Sequence, residues 1–230
     1  MVSVCMATYN GASFIGQQID SILPQLGLND EIIFSDDGSV DETLSIILSY
    51  RDNRFKIVDN GKSGSPVKNF EKGLNHCSEE LIFLADQDDV WMPEKVTRMK
   101  YYLQTFDLVL TDCSVINEQG EKLLDSFFMK RKSKKGLVQN LVQNSYMGCC
   151  MAFNQKILER ALPFPSALKA HDQWIGLIAE KYHKVYFLNE PLVQYRRHRQ
   201  NYSFTGEKSS FTFFEKINHR LTMLNNLYNR

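Results

Sequence analysis

The sequence predicts an α/β fold with a mostly parallel central sheet flanked by helices. Three observations lead there. Short apolar runs alternate with stretches of helical spacing up to about residue 112. Those runs are continuously apolar, as expected of strands buried on both faces and joined by helical crossovers. Acidic and small polar residues gather directly behind the runs, where open α/β sheets bind their ligands.

Taken in order, "VSVCMA" reads as a short buried strand. A helix follows over 12–26, with Phe14, Ile15, Gln18, Ile19, Ile22 and Leu23 at helical spacing. "EIIFS" is a strand, "DETLSIILSYR" a helix, "FKIV" a strand and "PVKNFEKGLNHC" a helix. "ELIFLA" is a strand, a helix spans about 92–103, and "DLVLTD" is another strand. This order places 8–10, 35–38, 86–89 and Asp112 on one rim, behind the carboxyl ends of the strands.

Beyond residue 113 the rhythm changes. "SVINEQGEKL" reads as a hairpin or extended loop turning at 118–120, followed by a basic loop, "KRKSKK" at 130–135. "YMGCCMAFN" is a strand, "QKILERAL" a short helix ending before Pro163, and "HDQWIGLIAEKY" a helix. "KVYFL" and "LVQYR" are two strands. The terminal stretch has an apolar face of Phe214, Ile217, Leu221, Leu224 and Tyr228. Such a face packs on the body, pairs two copies in a homodimer, or lies on a membrane surface. The expected organisation is one domain, 1–230. It comprises a first half at 1–112, a second half at 113–205 and an amphipathic helix at 206–230.

Composition narrows the classes of function. The chain has 230 residues, 43% apolar and 23% charged, with zero formal net charge, so bulk charge does not argue for a nucleic-acid partner. The basic loop is either solvated or a contact for an anionic substrate or membrane. The five cysteines are scattered without metal-binding spacing, which fits small core residues of a reduced, cytoplasmic protein. Neither a signal peptide nor a spanning helix is expected, which leaves a cytoplasmic protein, free or peripheral at the inner face of the membrane.

Several motifs are excluded. No GxGxxG follows the first strand and no GxSxG elbow is present. "GKS" at 61–63 lacks the first glycine of a phosphate loop, since that position falls on Lys56.

Two acidic groups remain. In "FSDDGSVDET", Asp41 or Ser39 can cap the next helix, but capping does not account for both Asp36 and Asp37 on the rim. A carboxylate there accepts a pyrimidine N–H or a ribose hydroxyl. In "FLADQDDVWMPEK", Asp86 and Asp88 leave a strand two residues apart. Carboxylate oxygens suit Mg²⁺ or Mn²⁺, and a cation offsets their repulsion. Asp89 is expected to support the helix near Pro93.

"ATYNG", "SDDGSVDET", "ADQDDVW" and "AHDQWI" together resemble the family 2 glycosyltransferases, which have the Rossmann-like GT-A fold. With "YRRHRQN" they look most like the subgroup often described as rhamnosyltransferases of bacterial polysaccharide synthesis. The resemblance covers about residues 2–200. It implies that Thr8, Tyr9 and Asn10 line the nucleotide pocket, that Asp37 reads the pyrimidine and that Lys68 lies near the nucleotide. Asp86 would sit by the ribose and at the metal, Asp88 would ligate that metal, and His198 would reach the metal or the diphosphate. Gln87 would point away from the ligand. Arg196, Arg197 or Arg199 would face the diphosphate. Asp172 would be the catalytic base. His171 stands where the family commonly has Glu.

The expected activity is therefore metal-dependent, inverting transfer of a sugar from a pyrimidine diphosphosugar, dTDP-rhamnose or a UDP-hexose. The acceptor would be a hydroxyl of a glycan or lipid-linked molecule. Two rivals share parts of the pattern. A nucleotidyltransferase would need a basic glycine-rich loop where "TYNGASF" stands, and a non-catalytic sugar-nucleotide-binding module would not need Asp172.

Overall fold

The computed structural model describes residues 1–59, 61–166, 168–199, 201 and 213–230, with only the backbone described for 213–219. The strands are β1 (Val2–Thr8), β2 (Glu31–Asp36), β3 (Phe55–Asp59), β4 (Leu81–Asp86), β5 (Val90–Trp91), β6 (Leu108–Ile116), β7 (Lys122–Leu124), β8 (Met151–Asn154) and β9 (Val185–Arg196). The helices are α1 (Ile15–Ile22), α2 (Thr43–Ser49), α3 (Pro66–Leu74), α4 (Lys95–Leu103), α5 (Phe127–Arg131), α6 (Leu137–Val142), α7 (Leu158–Ala161), α8 (His171–Tyr182) and α9 (Phe213–Tyr228). Three-residue 3₁₀ turns at Leu23–Gln25, Gly148–Cys150 and Gln155–Ile157 complete the pattern.

One sheet runs in the order β3-β2-β1-β4-β8-β6-β9-β5, with β7 paired to β6. β1 to β4, β6 and β9 run in one direction, and β5, β7 and β8 oppose them. This is the expected mostly parallel sheet. β5 begins four residues after β4 yet lies at the far end of the sheet path, so that half of the sheet curls back towards β4. Register sets the rim: Thr8 lies opposite Asp36, and Ala7 opposite Asp86.

The apolar runs become strands because both faces are covered. Val2, Val4, Cys5, Met6, Ile32, Ile33, Phe34, Ile82, Phe83 and Leu84 have no exposure. α1 buries Ile15, Ile19 and Ile22 at helical spacing. All five cysteines are buried free thiols, as expected of small core residues. Among the described residues, no helix is long and apolar enough to cross a membrane.

Several expectations change. The segments "KVYFL" and "LVQYR" form one twelve-residue strand. Pro191 cannot donate to the ladder, and the register shifts opposite Thr111–Cys113, so the strand passes it through a bulge. β6 continues to Ile116, which leaves Asp112 in mid-strand instead of on the rim. There its carboxylate accepts from the Phe128 N–H at 2.9 Å and the Ser126 hydroxyl at 2.5 Å, tying down the start of α5. Lys130 and Arg131 end α5 instead of lying in the basic loop. Among the described side chains of α9, Met223 and Leu227 are buried, while Leu221, Leu224 and Tyr228 face outward. The side chains of Phe214 and Ile217 lie outside the described residues.

Candidate functional site

The rim begins as a lattice of backbone donors satisfied by short polar side chains. Asp36 is 1% exposed and accepts from Gly38 N, Ser39 N, Ser39 Oγ and Thr8 Oγ1. Thr8 is likewise buried, so its hydroxyl belongs to this turn. Asn10 adopts a positive φ of 47° and links two turns: its N–H donates to Ser39 Oγ and its Oδ1 accepts from Val40 N. Glu42 is the N-cap of α2 and makes no side-chain cap. Asp41 accepts instead from the N–H groups of Ala12 and Thr43.

Tyr9 is 40% exposed, and its backbone is clamped by Gln87. The Tyr9 N–H donates to Gln87 Oε1 at 2.9 Å, and Gln87 Nε2 donates to the Tyr9 carbonyl at 3.0 Å. The expectation that Gln87 points away is therefore corrected: it fastens the end of β1 to the loop after β4. A Cβ on Gly11 would stand 2.2 Å from Gln87 Oε1, which explains the glycine after "TYN".

Asp37 lies beneath the 61–65 loop. Its two oxygens accept the N–H groups of Ser63 and Gly64 at 2.5 and 2.8 Å. Lys62 reaches over the Tyr9 ring and donates to its hydroxyl at 2.8 Å. Lys68 sits in the first turn of α3 with an exposed side chain. The cation on the Tyr9 shelf is Lys62.

The acidic cluster divides sharply. Asp88 Oδ2 is hydrogen-bonded to His198 Nε2 at 2.7 Å and accepts from Asn201 Nδ2 at 3.2 Å. The His198 ring also packs, tilted by 35°, with its centroid 4.7 Å from that of Phe14. Asp89 has no exposure; its Oδ1 accepts the Arg196 N–H, and its Oδ2 finds no donor within hydrogen-bond geometry among the described residues. It does not support the α4 start, where the N-cap is Glu94. Burial and the carboxylates of Asp88 and Asp86 push the Asp89 pKa well up.

Arg196 does not face the rim either. It is 3% exposed, and its guanidinium donates to the carbonyls of Asp88 and Glu118 and to Gln17 Oε1. With its donors engaged, it ties β9 to α1, to the β4 loop and to the β6–β7 turn. That replaces the diphosphate contact expected for it.

Lys95 answers the repulsion among these acids. It is wholly buried under the cluster, donates to the Cys149 carbonyl at 2.6 Å and lies 3.7 Å over the Trp91 ring. Burial lowers its pKa to about 8, while the charges of Asp89 and Asp86 oppose that fall. Lys95→Met leaves that carbonyl without a donor and the cluster without its cation. Loss of that hydrogen bond costs about 1–3 kcal/mol in urea unfolding, and at neutral pH the release of a buried charge with a depressed pKa offsets part of it. Between pH about 8 and 10.5 the unfolded chain binds more protons at this lysine, so wild-type stability rises with pH there. The variant should lack that rise; equal stability with the same pH profile would remove Lys95 from this role.

Asp172 completes the group from the first turn of α8, whose N-cap is Ala170. Neither residue caps the helix through its side chain: Ala170 makes no side-chain cap, and Asp172 Oδ1 accepts the next N–H, that of Gln173, at 2.7 Å. Burial raises the Asp172 pKa to about 6, against the pull of backbone N–H donors at Gln173 and Gly148. Asp86 is pushed to about 7 by burial, then by the charges of Asp88 and Asp172. His171 stacks on Phe70 at 4.1 Å, and its buried Nε2 has no partner. Burial holds this imidazole neutral, with a pKa of about 3. A Cβ on Gly148 would stand 3.0 Å from His171 Nε2, a tight contact that the ring would have to yield to.

Two donor sets are candidates for a divalent cation. Asp86, Asp89 and Cys149 place ligand atoms within 4.8 Å of one another. Burial holds the Asp89 carboxyl towards its protonated form, a hydrogen bond with Cys150 and then burial do the same for the Cys149 thiol, and a thiol is a soft donor. Asp88 and His198, with Asp86 beside them, offer oxygen and imidazole donors that suit Mn²⁺ or Mg²⁺ better.

Sequence reasoning assigned no site role to Gln87, Lys95, Lys62 or Asn201. A signal existed only for Asn201, in "YRRHRQN" beside His198. Lys95 reads as an ordinary helix-surface lysine until the fold buries it.

Comparison with known proteins places this geometry. Residues 3–162 match the family model described as "Glycosyl transferase family 2". A relative from Rickettsia prowazekii (strain Madrid E), named "Uncharacterized glycosyltransferase RP339", is 28% identical over 208 residues, 86% of this chain and 64% of that protein. The chain thus spans just under two thirds of that relative's length. The Escherichia coli protein "UDP-Glc:alpha-D-GlcNAc-diphosphoundecaprenol beta-1,3-glucosyltransferase WfgD" is 24% identical over 183 residues, 78% of this chain and 70% of that protein. The crystal structure of S. aureus TarS residues 1–349 in complex with UDP-GlcNAc superposes with a TM-score of 0.77 at 20% identity. That likeness covers 98% of this chain and 66% of the other and shows the shared GT-A fold.

Proposed function

We propose, from the premise that this chain belongs to glycosyl transferase family 2, that it moves a sugar from a pyrimidine nucleoside diphosphosugar to an acceptor hydroxyl with inversion. The observation that carries this reading is the convergence of Asp86, the Asp88–His198 pair and Asp172 at the ends of β4, β9 and α8.

Each residue then has a task. Asp37 holds the pyrimidine: each of its oxygens accepts one N–H and keeps a lone pair for the base. Tyr9, fixed by Gln87 and overlain by Lys62, forms the shelf beside it. Asp88 and His198, with Asp86 beside them, would hold a divalent cation, which when bound would supply positive charge to the leaving diphosphate. Arg197 and Arg199, next to His198, extend that positive field. Asp172 takes the proton of the acceptor hydroxyl as its oxygen attacks the anomeric carbon. The bond from that carbon to the diphosphate oxygen breaks on the opposite face, so one displacement inverts the configuration. The burial that raises Asp172 to about 6 makes it a stronger base, still deprotonated at neutral pH. His171, neutral beside it, adds no competing charge.

The name of the WfgD relative specifies a UDP-sugar and a diphosphoundecaprenol-linked acceptor. For this chain that supports a pyrimidine donor and a lipid-linked or growing glycan acceptor in bacterial surface polysaccharide synthesis. The sugar is a hexose or rhamnose. The test is thermal stability with UDP-glucose, UDP-N-acetylglucosamine, dTDP-rhamnose and GDP-mannose, each with and without Mn²⁺. One pyrimidine donor at ~100 times its Kd should stabilise the fold by about 2.7 kcal/mol, and only with the cation. A response confined to GDP-mannose would sink the reading.

A further inference from the structure

We propose that the outer face formed by α6 and α9 docks on an anionic lipid bilayer surface. The two helices lie side by side against α8. Gln173 Nε2 donates to the Asn140 carbonyl at 2.8 Å, and Gly136 N donates to Glu180 Oε1 at 2.5 Å, so α6 runs along α8. Lys181 Nζ donates to the Leu227 carbonyl at 2.5 Å, which fastens α9 to the same helix. Arg220 Nη2 donates to the Val142 carbonyl at 2.8 Å and joins α9 to α6.

With Met223 and Leu227 turned inward, the outer side of α9 carries Leu221, Leu224 and Tyr228, which are 58%, 45% and 85% exposed. These positions fall at i, i+3 and i+7, one stripe of the helix. Beside them α6 exposes Val138 at 74% and Val142 at 61%. Single exposed apolar residues are ordinary, but five on two adjoining helices mark a contact surface.

Charge selects the occupant. Residues 126–158 contain no Asp or Glu, and they include Lys130, Arg131, Lys132, Lys134 and Lys135. This basic run is pinned to the end of α6: Gln143 Nε2 donates to the Arg131 carbonyl at 2.8 Å, and Lys134 N donates to Ser145 Oγ at 3.2 Å. Four of these cations are exposed lysines. A bilayer rich in anionic headgroups matches both features: the apolar stripe enters the headgroup level and the lysines meet lipid phosphates. A second copy fits worse, because a twofold contact would bring this cationic margin against its own like. α8 leads from beneath this face to Asp172, so docking would set the cleft beside the membrane, where a lipid-linked acceptor is carried.

The test is co-sedimentation of the whole chain with vesicles of phosphatidylcholine alone or mixed with phosphatidylglycerol, without donor or acceptor. The chain should sediment only with the mixed vesicles and be released by high salt. Lys134→Glu/Lys135→Glu should weaken partitioning more than about tenfold, at roughly fivefold per cation removed. Leu221→Glu/Leu224→Glu should abolish it with an unchanged melting temperature. Equal binding to both vesicles, or to neither, overturns the proposal. So does a dimer that the leucine variant makes monomeric while wild-type chain ignores the vesicles. Donor-induced thermal stabilisation in each variant reports separately on the transferase reading.

Discussion

Asp172→Asn should lower kcat/KM for sugar transfer by about 10²- to 10⁴-fold, the range for loss of a general base. Donor binding should persist, because Asn keeps the shape of the side chain and its acceptor for the Gln173 N–H. In the wild type, kcat/KM should fall as pH drops through about 6, where Asp172 takes up its proton and stops acting as a base. Stability runs the other way. A carboxyl whose folded pKa exceeds its unfolded value binds more protons when folded, so its contribution declines as pH rises through that window. At pH 7 the ionised Asp172 therefore works against the fold, and Asp172→Asn should melt no lower than wild type. Transfer kinetics, donor titration and melting on the same preparation separate a lost base from a damaged fold. Transfer at the wild-type rate would refute the assignment.

Asp88→Asn should abolish the Mn²⁺ dependence of donor binding and lower transfer by more than about 10²-fold. The amide keeps the hydrogen-bonding shape but loses the negative charge that a hard cation requires. His198→Ala should weaken Mn²⁺ binding less, because the carboxylate remains. Calorimetric titration with Mn²⁺ alone reads both variants without reference to activity. Undiminished Mn²⁺ affinity in Asp88→Asn would move the cation site elsewhere, with Asp86, Asp89 and Cys149 as the next set to test.

The two variants differ in how visible their residues were beforehand. Asp88 and Asp172 could be singled out because each stands in a short motif at the end of a strand or start of a helix. Helix α8 matches the periodicity of "HDQWIGLIAEKY" at both ends. Arg196 shows the opposite case. An arginine in a basic motif suggests an anion contact, yet it is the only one of three neighbouring arginines that is fully buried. β9 shows how a proline can mislead. Pro191 reads as a break between strands, and the partner strand absorbs it in a register shift that only pairing reveals. In α9, apolar residues occur on two sides, and periodicity does not decide which side meets α8.

What the sequence by itself determined was the alternation of strands and helices and, with it, the rim on which residues 8–10, 35–38 and 86–89 lie. Those features depend on local periodicity and on residues adjacent in the chain. Only the tertiary structure decided what each charge does there. Asp88 meets His198 from 110 residues away, Asp89 meets Arg196 from 107, and Lys95 enters the space beneath them. Four acids within one short segment and its neighbour at Asp172 thereby acquire different environments. A carboxyl's charge and reactivity follow from its burial and its partners, and long-range packing alone supplies both.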